Sequence, residues 1–138
     1  MKNNKITLKE AIKFHGHLGP YLVLGVLAGK LAIKELRCKK YFGLNVKVWG
    51  ANKRPKSCLI DGLQLSTGAT YGKGNILKLS GNRIRILFND SQSNRKITLS
   101  LKEDLTCALD GLKGHKDSEV FAKELYKNKP TNIFMVER

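Results

Sequence analysis

The chain is poor in acidic residues, in aromatic residues and in long apolar runs, and each shortage removes a class of protein. Its longest apolar run, Tyr21 to Ala28, falls far short of the ~20 residues that cross a bilayer. The opening MKNNKITLKE is polar and leads into a helix, without the cationic leader, apolar stretch and small-residue cleavage site of a secreted precursor. A soluble, cytoplasmic protein with no membrane contact is the expectation. The three cysteines, Cys38, Cys58 and Cys107, include no CxxC pair and no even-numbered framework, which argues against a disulfide scaffold and suits a reducing compartment. A cysteine with a role here would act as a thiolate, with a partner other than a second cysteine. At 138 residues and 41% apolar, the chain supports one core and a single domain, residues 1–138.

Only 11 acids stand against 26 Lys and Arg, for a formal net charge of +15. Glu10 and Glu35 are the only acids before residue 61, where 13 bases already lie. Such a field could draw in nucleic acid or another anion. Aromatics are 7% of the chain and form no recognition motif, while 20 of the 26 bases are Lys, mostly scattered singly. A lysine-rich solvated surface is the simpler account, and a nucleic-acid partner is the competing one.

What is present begins with a capping box, Thr7-Leu8-Lys9-Glu10, which predicts a short helix to about Phe14. Gly16 and Gly19-Pro20 interrupt it, and Pro20 suits the first turn of a second helix running to about Arg37. On that helix Gly25 and Gly29 lie four apart on one face, where another backbone can approach closely. Lys30, Lys34 and Arg37 form a solvent-facing stripe near its end. Leu44 to Trp49 alternates as a strand. Ser57 can cap a third helix through Cys58, Leu63 and Gln64 toward Ser66, and the glycine-rich Thr67 to Asn75 follows as a loop. Strands are expected at 76–79, 83–88 and 96–100, joined by turn signals as an antiparallel meander. Ser100-Leu101-Lys102-Glu103 repeats the capping-box spacing before a helix through Leu109, and Asp117 or Ser118 can start a last helix to about Tyr126. The order argues an α+β domain, helices on one face of a mostly antiparallel sheet.

Two of the three histidines, His15 and His17, flank Gly16 in the segment FHGHLGPYL. Both could offer imidazole nitrogens to one metal, which would need at least one more ligand; helix capping or plain exposure is the alternative. Cys58 is the natural third candidate, since a helix start favours a thiolate, although cysteine is also a common small core residue. Cys38 and Cys107 fit that core role better. The loop Thr67-Gly68-Ala69-Thr70-Tyr71-Gly72-Lys73-Gly74-Asn75 is not a P-loop: Gly68 stands one residue too close to Gly72-Lys73, and Gly74 replaces the Ser or Thr that would hold magnesium. It can still cradle an anion through backbone N–H groups. His-x-His hydrolases built on a (β/α)8 barrel are excluded, because a barrel takes about 200 residues or more.

Taken together, FHGHLGPYLVLG at 14–25 and CLIDGLQLSTGATYGKGN at 58–75 resemble the FmdE family of formylmethanofuran dehydrogenase subunits, over roughly residues 7–101. The resemblance implies an α-β-α-β-β-β core, a homodimer, and a metal, commonly zinc or another divalent transition metal, near the histidine motif and the helix cysteine. Carried over by position, His17 and Cys58 are ligands with His15 next, and Gln64, Thr67, Lys73 and Asn75 line the same pocket, the lysine toward an anionic group. Gly19 and Ala69 stand where many relatives carry cysteine, so a single-cysteine site is implied. The cysteine-rich zinc ribbon of many relatives has no counterpart, and the helices of about 102–138 are this chain's own. The resemblance also implies one-carbon or molybdenum/tungsten redox metabolism, either as an accessory component docked onto a larger redox or pterin enzyme or as a small metalloenzyme.

Overall fold

The first helix is built by the capping box. In a computed structural model that describes residues 5–138, α1 (Leu8–His15) begins where Thr7 Oγ1 accepts from Glu10 N–H at 3.1 Å and Thr7 N–H donates to Glu10 Oε1 at 3.1 Å. It ends on Gly16, whose φ of 108° only glycine adopts freely. Residues 1–4, the polar opening of the chain, lie outside the described part.

Helix α2 (Pro20–Leu36) starts on Pro20 and is buried from Pro20 through Gly29, the mark of a central helix rather than a surface one. Its neighbour α3 (Cys58–Thr67) crosses it at backbone contact. A Cβ on Gly25 would run into the Leu59 carbonyl and the Leu63 amide, and one on Gly62 into the Leu22 carbonyl. Ser66 Oγ donates across the crossing to the Gly25 carbonyl at 3.1 Å. The glycine face expected from the sequence is therefore the α2–α3 contact. Ser57 makes no side-chain cap; the chain enters α3 through a turn in which Cys58 N–H donates to the Pro55 carbonyl.

The sheet has five strands, β1 (Leu44–Trp49), β2 (Ile76–Leu79), β3 (Arg85–Asp90), β4 (Arg95–Leu101) and β5 (Phe134–Glu137), in the order β2-β1-β3-β4-β5. Leu44, Val46, Val48, Ile86, Phe88, Ile97 and Leu99 point into the core, while Asn45, Lys47 and Arg85 face out. The fold is α+β with helices against a mostly antiparallel sheet. One connection departs from the expected meander. β2 pairs in parallel with β1, Val46 opposite Ile76, and β3 pairs antiparallel on the other side of β1. A parallel neighbour needs a crossover, and α3 with the loop after it supplies one, so Ser80-Gly81-Asn82 carries the chain past β1 instead of closing a hairpin.

The C-terminal part also differs from expectation. Ser100 belongs to β4, opposite Arg85 and Met135, so it cannot cap a helix; α4 (Glu103–Asp110) starts behind Lys102 without a side-chain cap. The last helix, α5 (Gly114–Lys127), begins three residues before Asp117. A 3-10 turn, Pro130–Asn132, then leads into β5, which the sequence pattern did not announce. Ala122, Leu125, Ile133 and Phe134 are buried in the same apolar cluster as the sheet and α2. Among the described residues no helix is long and apolar enough to cross a membrane.

Candidate metal centre

The αL turn at Gly16 reverses the chain just after α1 and sets His15 and His17 beside each other, ring centroids 4.8 Å apart. Cys58 and Asp61 stand three apart at the start of α3 and so share a face of that helix. Across the gap His15 Nδ1 meets Asp61 Oδ2 at 2.6 Å. The carboxylate can accept from Nδ1–H, and in that tautomer Nε2 carries the lone pair. The His15 side chain is 10% exposed, and its Nε2 is buried with no hydrogen-bond partner. Such an orphan is uncommon and calls for an explanation.

His15, His17 and Cys58 line one cavity of about 270 Å³, and Asp61 stands outside its lining. The cavity floor comes from the α1–α2 turn and the start of α3; Leu109 and Leu112 cover it from the C-terminal side. His115, at the start of α5, lines it as well, its ring edge-on to His17 with centroids 6.2 Å apart. All three histidines of the chain therefore meet at one place. Among the described residues, no three His, Cys, Asp or Glu side chains already stand in a geometry that holds an ion.

Burial, more than any other effect, pushes the Cys58 thiol above its ordinary value; the Asp61 carboxylate adds to this and Arg54 opposes it. The helix start thus does not win over burial, and without a cation Cys58 is held as a thiol. A divalent ion would reverse the balance by replacing the thiol proton. Tyr21, also on the cavity wall, is pushed up to about 12 by burial and then by Asp110, so it stays a protonated donor.

The other four site residues expected from the sequence are elsewhere. α3 has 10 residues, and a helix rises about 1.5 Å per residue, which separates Gln64 and Thr67 from Cys58 along its axis. Thr67 is buried, its Oγ1 donating to the Leu63 carbonyl at 2.6 Å and accepting from Ala69 N–H at 3.0 Å. Asn75 Oδ1 accepts from Thr70 N–H, and its amide donates to the Tyr41 and Leu44 carbonyls at 2.9 and 3.2 Å. Both hold the glycine-rich loop in shape. Gln64 Oε1 accepts from Tyr71 N–H, and Gln64 and Lys73 line a second hollow of about 410 Å³ with Lys40 and Tyr41. Lys73 Nζ sits 5.3 Å from the Phe42 ring centroid. These residues do not share the histidine–cysteine cavity, because α3 and its loop carry them to the opposite end of the helix.

Asp61 and His115 are the site residues without an assigned role in the sequence. The i, i+3 spacing from Cys58 could have pointed to Asp61. A single histidine in the lysine-rich stretch Lys113–Lys116 carries no such signal.

Fold and cavity define the class: an α+β domain whose histidines and helix-start cysteine converge on one apolar-walled hollow. Residues 14–134 match the family described as "FmdE, Molybdenum formylmethanofuran dehydrogenase operon", and the chain belongs to that family. The match passes residue 101 and runs through α4 and α5. The chain is also 33% identical over 73 residues to a "Probable S-adenosyl-L-methionine-binding protein" of Archaeoglobus fulgidus. That stretch is 52% of this chain but 20% of the relative, so the chain spans about a fifth of that protein. Among solved structures, its fold is similar to that of a tungsten formylmethanofuran dehydrogenase FmdE-like protein from Syntrophus aciditrophicus. The TM-score is 0.68 at 22% identity, covering 94% of this chain and 68% of that one.

Proposed function

We propose that this chain is a metal-binding member of the FmdE family, in which His15, His17 and Cys58 hold a divalent transition ion, zinc before others. One observation carries the proposal: a nine-tenths-buried imidazole, fixed through Nδ1 by Asp61, keeps an unpartnered Nε2 while lining the cavity that His17 and Cys58 also line. A carboxylate behind a ligating histidine sets its tautomer and raises its basicity. Two imidazoles and one thiolate suit zinc, and a bound zinc supplies Lewis-acid polarisation wherever a coordination position stays open. The residues do the rest. Asp61 orients His15, Cys58 gives up its proton on binding, and the Leu109 and Leu112 side chains limit water.

In the cell this domain works as an accessory component of a larger redox or pterin enzyme, or as a small metalloenzyme of one-carbon metabolism, and as a homodimer. The family description, with its molybdenum enzyme operon, supports that setting. Elemental analysis of gel-filtered protein, with Cys58→Ser and His17→Ala beside it, tests the metal. About one ion per chain, lost in both variants, is the expected result. Full occupancy in either variant removes that residue from the ligand set.

A second reading has an observation of its own. Phe42 and Tyr71 are 83% and 87% exposed, Tyr41 is exposed beside them, and Lys73 lies over the Tyr41 and Phe42 rings. The fold brings Lys73 to the adjacent Tyr41 and Phe42, a basic and aromatic patch of the kind single strands stack on. Binding to an oligonucleotide that weakens steeply with salt would favour this reading, and no detectable binding at low salt would remove it.

A further inference from the structure

We infer that His115 is a fourth protein donor to the same centre, so that the ion ties α5 to the α1–α2 turn and closes the site against outside ligands. This rests on the metal-binding reading above. His115 lines the cavity, and among the described residues its ring meets only His17, edge-on; it makes no hydrogen bond or ion pair there. Its backbone, in contrast, is well placed. Leu109 is buried, Leu112 packs against the core, and Gly114 takes a left-handed φ of 78° that starts α5 at this spot. Further along, Ala122 and Leu125 bury the helix in the core shared with α2. A histidine on an anchored backbone with an uncommitted ring is free to turn toward a ligand.

The spacing of the rings is near what an ion would impose, although the side chains do not yet converge on one point. Zn–N bonds of about 2.0–2.1 Å put the ring centroids of two tetrahedral imidazole ligands roughly 5 Å apart. His15 and His17 are already at 4.8 Å, and His17 and His115 are at 6.2 Å. His17 and His115 are both exposed, so turning their side chains toward a shared ion disturbs no packed core. Three imidazoles and the Cys58 thiolate then complete a four-coordinate set, the arrangement of closed zinc sites.

The test uses the full chain and His115→Ala, an exposed position where the loss of a side chain leaves the core untouched. Cobalt(II) replaces zinc as a visible probe, affinity is read by competition with a chromophoric chelator, and trypsin probes the exposed Lys113 and Lys116 beside the site. In the parent protein, cobalt should give a four-coordinate spectrum that azide does not change, and zinc should slow cleavage at Lys113 and Lys116. In His115→Ala the affinity should fall by at least the ~10- to 100-fold that loss of an outer-shell partner costs. Azide should now shift the spectrum, and zinc should no longer protect the two lysines. Metal binding with the same affinity, spectrum and protection in both proteins would overturn this inference and leave the metal-binding reading standing. No cobalt or zinc binding by the parent protein would overturn both.

Discussion

Asp61 and Cys58 show how single residues divide the work. Asp61 hydrogen-bonds His15 Nδ1 and thereby favours the tautomer that keeps Nε2 available to a ligand. Asp61→Asn keeps the shape and loses the carboxylate, so zinc affinity should drop by about 10- to 100-fold, measured by chelator competition, with thermal stability nearly unchanged. Cys58 offers a test that needs no metal. Burial and Asp61 raise its thiol, so thiolate is scarce at neutral pH and its labelling by an aromatic disulfide reagent should be slow. The rate should climb as pH rises toward the raised value. Cys107, which is exposed, should label first, and added zinc should block Cys58 alone. Fast zinc-insensitive labelling of Cys58 would count against its role as a ligand.

At the scale of elements, the α2–α3 crossing sets the site. Gly25 and Gly62 let the two helices touch at their backbones, Gly29 leaves room for the Ser66 side chain, and that contact fixes where the start of α3 presents Cys58 and Asp61 to the His15 turn. Gly25→Ala would push a methyl group into the Leu59 carbonyl and the Leu63 amide, neither of which can yield as a side chain can. Overpacking of this kind costs about 1–3 kcal/mol, and the melting temperature should fall accordingly. If the proposed centre forms, zinc affinity should fall with it, since Cys58 sits on α3 and the histidine turn leads directly into α2. Elements with local signals were legible: a capping box at Thr7, a proline at the first turn of α2, a period-two strand at Leu44 to Trp49. β5 was not, because a four-residue strand after Pro130 exists only through its pairing with β4. The same holds for Ser100, whose capping-box spacing lost to the ladder it joins with Arg85 and Met135.

For the molecule as a whole, the segment after Leu101 serves the fold as well as the site, whose cavity Leu109, Leu112 and His115 help to line. β5 pairs with β4, Phe134 is 1% exposed, and α5 packs on α2. A chain ending at Leu101 would leave the β4 edge unpaired and uncover that apolar surface. It should lose the cooperative thermal transition of the full chain, followed by circular dichroism. A truncated chain melting like the full one would make the C-terminal segments an ornament. The positive charge also gains meaning only at this scale. Lysines spread along the sequence look like a solvated surface, and the fold then brings Lys73 to the Tyr41 and Phe42 rings that Lys40 already adjoins in the chain.

The sequence by itself determined the α+β class, the family and most helix boundaries. Each of these is written in neighbouring residues or in motifs that stay close in the chain. Only the tertiary structure decided that β2 lies parallel to β1 at the sheet edge, that Thr67 and Asn75 serve the loop, and that His115 joins His15 and His17 across about a hundred residues. Strand partners and cavity walls depend on which surfaces must be buried against each other, and that is settled when the whole core closes, not along any one segment.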